Sequence, residues 1–137
     1  MTDVSIHIDA APDRVWRELT AVPQWPEWTA SVTRVEPLDA ELAVGQRVRI
    51  EQPKLPVGVW RVTELDPGRS FTWQTSIWGV TTTGTHRVEP NAAGGCDLSL
   101  AIGHAGPLAF LGRARYGKRT RHSMDMEANG LKRRSES

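Results

Sequence analysis

IDAAPDRVWRELTAVPQWPEW, from Ile8 to Trp28, changes its hydrophobic period twice, and those changes decide how the chain begins to fold. Just before and into it, Val4 to Ile8 alternates as V-S-I-H-I, with Ser5 and His7 on the face opposite the aliphatics, which reads as a half-buried strand. Asp9-Ala10-Ala11-Pro12 turns the chain and places a proline in an opening helical turn, after which Val15, Trp16 and Leu19 recur at helical spacing. This helix ends before Pro23. Pro26 suits the first turn of a second, very short helix, and a spacing of three sets Trp25 and Trp28 on nearby faces of it. Two indoles so close argue for packing, either as core or as a lid over a cavity.

Downstream, short strands alternate with turn residues. Residues 31–38 and 46–51 form two, Pro53 and Pro56 interrupt, and residues 57–65 resume the pattern. Asp66-Pro67-Gly68 is a turn, residues 69–78 and 80–89 follow with Trp78-Gly79 between them, and a loop from Pro90 to Gly95 leads into a strand over residues 96–102. From Pro107 the period changes again. Phe110, Ala114, Gly117, Arg121, Met124, Ala128 and Leu131 fall at steps of three and four, predicting one long helix with that stripe buried. The expected order is a strand, two short helices, six strands and a long helix, an α+β chain in which only that helix is long enough to cover the sheet.

A chain of 137 residues is one domain's worth, so residues 1–137 are expected to form one domain. With 17 basic and 16 acidic residues, bulk charge gives no argument for a nucleic-acid partner. The charge is uneven, however: Arg113, Arg115, Lys118, Arg119 and Arg121 precede His122 with no acid among them, which reads first as a solvated helix face, since only Tyr116 interleaves it, and otherwise as a surface for acidic lipid or nucleic acid. A single cysteine, Cys96, excludes an internal disulfide and fits a reducing compartment. No apolar run has signal-peptide or membrane-spanning form, so a cytoplasmic protein without stable membrane insertion is expected.

Three stretches resemble the START-like (SRPBCC) superfamily, in particular its polyketide cyclase/dehydrase and lipid-transport branch. They are Ile8 to Trp28, GVWRVTELDPGRSFTWQT from Gly58 to Thr75, and THRVEPNAAGGCDLSL from Thr85 to Leu100. The resemblance implies a helix-grip fold: a curved seven-stranded antiparallel sheet wrapped around the C-terminal helix, enclosing an elongated apolar cavity. It also implies that the second short helix frames the cavity mouth, with one indole in the core and the other, Trp28, facing ligand.

Given that fold, alternation selects the inward side chains. Leu98, Leu100 and Ile102 form one apolar set, and pairing places Val88, His86, Gly84 and Thr82 beside them. Phe71, Trp73, Thr75 and Ile77 share a face, as do Trp60 and Val62. Trp28, Trp60, Phe71, Trp73 and Met124 are therefore expected walls, and Thr75, Thr82 and His86 expected polar contacts. His86 is a satisfied interior histidine, a ligand contact or an acid/base. On the long helix, Ala114 and Gly117 would allow either close approach of the sheet or room for a ligand, and Arg121 would either meet a ligand carboxylate or carbonyl or extend to solvent.

Other chemistries fail on spacing. Residues 112–118 match the start of a phosphate-binding loop, but Arg119 stands where a magnesium-binding Ser or Thr is needed. His7, His86, His104 and His122 lack metal-ligand spacing, and no nucleophile motif occurs, so no metal or cofactor is expected. The expected function is binding of a small hydrophobic or amphipathic molecule, lipid-like or polyketide-like. The alternatives are a cyclase/dehydratase using His86 as acid/base, or a protein-interaction module marked by an exposed apolar patch.

Overall fold

The strand-forming segments pair in a single antiparallel sheet in the computed structural model, which describes residues 2–137. Strands β1 (Thr2–Ile8), β2 (Arg34–Pro37), β3 (Arg47–Glu51), β4 (Gly58–Asp66), β5 (Ser70–Ile77), β6 (Val80–Pro90) and β7 (Cys96–Ala105) stand in the order β1-β7-β6-β5-β4-β3-β2. Helix α1 (Pro12–Thr20) and a 3-10 helix (Val22–Glu27) link β1 to β2, and helix α2 (Ala109–Glu136) completes the helix-grip arrangement. The strand expected over residues 31–38 is shorter, because Ser31 is buried and bonded to Thr29 (2.8 Å between hydroxyl oxygens) before the strand begins.

The register places rows of side chains across the sheet. Phe71 pairs with His86 and His86 with Leu100; Trp73 with Gly84 and Gly84 with Ile102; Thr75 with Thr82 and Thr82 with His104. Successive rows lie two residues apart, roughly 7 Å along the strands. The last pair, Ile77 and Val80, closes on the two-residue turn Trp78-Gly79. Both turn residues have positive φ, 49° at Trp78 and 78° at Gly79, the conformation of a tight hairpin turn that suits Asn-Gly. Holding a tryptophan there costs roughly 1–2 kcal/mol. A register shift between Val62 and Glu64 marks a bulge in β4, which bends the strand.

The core follows from α1 and the 3-10 helix. Val15 and Leu19 of α1 are fully buried, and Trp25 packs beneath them with its indole N–H donating to the Leu19 carbonyl at 2.9 Å. That bond satisfies a carbonyl in the last turn of α1 that the helix itself leaves open. Helix α2 packs against β1, β7, β6 and α1, whereas its first half stands away from β4 and β5. Two glycines show this divergence. A Cβ on Gly130 would lie 2.1 Å from the Trp28 carbonyl oxygen, whereas one on Gly117 would meet nothing within 4 Å among the described residues.

Gly117 therefore makes no room for a neighbour, and its mid-helix backbone cost stands uncompensated. Gly117→Ala is expected to stabilise the protein by about 1 kcal/mol, a rise in melting temperature of about 3 °C. Calorimetry of the two proteins checks this; a lower melting temperature would mean that the glycine is needed there.

Candidate functional site

The divergence of α2 from the sheet leaves a cavity of about 370 Å³, within the range of small-molecule sites. Its walls are mainly apolar: Trp25, Trp60, Trp73, Ile50, Ile102 and Met124. Trp73 lies against Trp60 and Trp25, with ring centroids 5.6 and 5.5 Å away. Its indole crosses onto the neighbouring strand because the cross-strand partner is Gly84, where a Cβ would come within 3.1 Å of the indole nitrogen.

The rows give the cavity a direction. At the closed end His86 is 5% exposed and stacks on Phe71, centroids 4.2 Å apart and planes 9° from parallel. Its Nε2 is 3.4 Å from Oε1 of Glu127, and both side chains are largely buried. His86 Nδ1 and Glu127 Oε1 are buried without a hydrogen-bond partner among the described residues. A carboxylate beside Nε2 favours the tautomer protonated there, which leaves Nδ1 as an acceptor. Buried polar atoms without partners are rare in folded proteins, and here two of them belong to side chains that line one cavity.

Further out, the Thr82 hydroxyl and His104 Nδ1 are 3.0 Å apart, and Thr75 lies beside Thr82 in the same row. Burial holds the His104 imidazole below the ordinary value of 6.5, and the nearby Arg113 guanidinium pushes the same way. The unfolded chain thus takes up this proton first, and His104 subtracts from stability as pH falls through 6.5. His104→Asn should lose less stability than wild type between neutral and mildly acidic pH, measured by urea unfolding. Equal losses would place the acid sensitivity elsewhere.

Of the residues singled out in the sequence, Trp60, Trp73, Thr75, Thr82, His86 and Met124 are brought together as cavity lining. Trp28 is not: it packs against Gly130 of α2, and Trp25 takes the cavity wall instead. The two indoles keep contact at 5.6 Å, but the short helix turns only one of them toward the sheet. Phe71 lies behind His86 as its stacking support rather than at the surface of the cavity. Ala114 and Arg121 are exposed, and Arg121 extends toward Asp125 at 3.9 Å, so neither lines the cavity, nor does Gly117. The stripe Phe110-Ala114-Gly117-Arg121 is out of phase because this part of α2 has no sheet beneath it; Phe110 itself is exposed. Toward the cavity α2 turns Tyr116, Thr120, Ser123, Met124 and Glu127, with Leu111 and Arg115 at its outer end.

Glu127 was not evident in the sequence, although Met124, Ala128 and Leu131 bracket it at helical spacing. Among the described residues no three His, Cys, Asp or Glu side chains gather as metal ligands would, and no helix is long and apolar enough to cross a membrane.

Comparison with known proteins agrees with this geometry. A family model described as polyketide cyclase/dehydrase and lipid transport matches residues 2–136. Among solved structures, the Zhui aromatase/cyclase from Streptomyces sp. R1128 superposes with a TM-score of 0.77 at 19% identity, covering 98% of this chain and 92% of that one. Protein TTHA0849 from Thermus thermophilus gives 0.76 at 18% identity, covering 98% and 95%. The di-domain aromatase/cyclase StfQ of the steffimycin biosynthetic pathway gives 0.75 at 16% identity; 98% of this chain matches half of that one. At these identities the likeness is one of fold. No curated protein sequence matches the chain.

Proposed function

We propose, from the premise that the chain belongs to the polyketide cyclase/dehydrase and lipid-transport family, that residues 1–137 are one domain binding a small hydrophobic or amphipathic molecule, polyketide-like or lipid-like, between sheet and α2. The observation that carries this reading is the tryptophan-walled cavity ending on the buried His86–Glu127 pair. Apolar burial supplies most of the affinity, and the few polar groups set the ligand's orientation. A hydroxyl or enol of the ligand would satisfy His86 Nδ1, a buried atom without a partner among the described residues, once the ring turns toward the cavity. A cytoplasmic location belongs to the same reading, and the buried free thiol of Cys96 is compatible with it.

Native mass spectrometry of the gently purified protein, compared with its denatured mass, tests this. An adduct released by organic extraction, whose rebinding quenches tryptophan fluorescence, supports the reading. Absence of quenching by a panel of lipids and aromatic polyketides would count against it.

A second reading is favoured by the His86–Glu127 geometry: a carboxylate oxygen 3.4 Å from an imidazole nitrogen, with neither the other ring nitrogen nor that oxygen hydrogen-bonded among the described residues, can move a proton. Cyclisation or dehydration of a polyketone needs such a group at the closed end. On this reading Glu127→Gln retains binding within about threefold and loses turnover by about 100-fold or more. Unchanged turnover would reduce the pair to an orienting contact.

A further inference from the structure

We propose that the cavity mouth docks on an anionic lipid bilayer, with the tip of the β5–β6 hairpin and the start of α2 entering the interface. Four large apolar side chains are exposed together there: Trp78 at 83%, Phe110 at 60%, Leu111 at 50% and Leu108 at 42%. The two segments touch, since the Leu108 amide donates to the Gly79 carbonyl at 3.5 Å and a Cβ on Gly79 would rest on the Leu108 side chain. Trp78, Leu108 and Leu111 also rim the cavity. The backbone at Trp78 is unfavourable for an indole and suits asparagine, so stability does not explain the residue.

Charge identifies the occupant. Steps of three and four set Leu111, Arg115, Lys118 and His122 on one exposed face of α2, in line with Leu108 just before it. Arg119 adds a further cation, and the first acid after Gly106 is Asp125. Among the described residues Arg113, Arg115, Lys118 and Arg119 have no carboxylate at ion-pair distance; the Arg113 guanidinium donates to the His104 carbonyl at 3.4 Å. With the leucines at the acyl boundary, a helix rise of 1.5 Å per residue lifts Arg115 to Arg119 roughly 6–12 Å higher, to the level of lipid phosphates. A protruding indole backed by cations suits an interface that accepts any such tip, whereas an acidic protein would need a hollow shaped for it. Docking in this orientation opens the cavity toward the acyl chains.

Co-sedimentation with vesicles tests the proposal without any ligand in the cavity, so its outcome is independent of the binding reading. Wild type should sediment with vesicles of phosphatidylcholine and phosphatidylglycerol, less so in high salt, and not with phosphatidylcholine alone. Trp78→Asn should weaken this about tenfold while holding or raising the melting temperature, because Asn-Gly favours the turn. Lys118→Gln with Arg119→Gln should weaken it about 25-fold, near fivefold for each charge removed. No sedimentation with either vesicle would overturn the proposal and leave an acidic protein as the occupant. Equal binding to both vesicles, or an unaffected Trp78→Asn variant, would overturn it as well.

Discussion

Trp25→Ala will lower the free energy of unfolding by about 4 kcal/mol, a fall in melting temperature of roughly 14 °C. The indole is 2% exposed and in ring contact with Trp28, Trp73 and His86, so truncation removes one side of three aromatic contacts at once. It also strips the Leu19 carbonyl of its side-chain donor at the end of α1. Trp25→Phe separates the two effects: most of the ring remains, the N–H does not, and about half of the loss should follow from the buried carbonyl and the smaller ring. Urea unfolding of both variants measures this. A phenylalanine variant as stable as wild type would show that the indole bond does not hold α1.

Gly130→Ala will destabilise by about 3 kcal/mol, by the opposite route of adding an atom. The new Cβ would overlap the Trp28 carbonyl, a backbone atom at the end of the 3-10 helix that no rotamer change can move. Helix α2 must then shift, and Glu127, less than one turn away, shifts with it relative to His86. Ligand binding should therefore fall together with stability. Beside the gain expected for Gly117→Ala, the pair of substitutions tests where α2 grips the body and where it stands off. A Gly130→Ala protein with wild-type stability would overturn this account.

The strands and their facing residues were legible in the sequence because alternation is a local signal that pairing preserves. His86 beside Leu100 and Gly84 beside Ile102 follow directly from it. The phase of α2 was not legible, since a helical stripe marks burial only where something lies beneath the helix. Phe110 belongs by spacing to the same stripe as Leu131, but the sheet reaches only the second. Glu127 was hidden for a related reason: a carboxylate among apolar neighbours looks like an outward residue until a buried histidine is found opposite. Trp25 and Trp28 could not be told apart because the choice of which indole meets the sheet rests on Gly130, more than a hundred residues later.

The first and last elements also meet. Strand β1 pairs with β7, His7 with Asp97, and the Lys132 ammonium on α2 donates to the His7 carbonyl at 2.9 Å. During synthesis, then, the opening strand waits for most of the chain to leave the ribosome before it has a neighbour. Until α2 follows, the surface bearing Leu98, Leu100 and Trp73 faces water on the nascent chain. A chain whose sheet has formed before α2 packs onto it holds out an unsealed hydrophobic trough, the kind of surface that chaperones recognise.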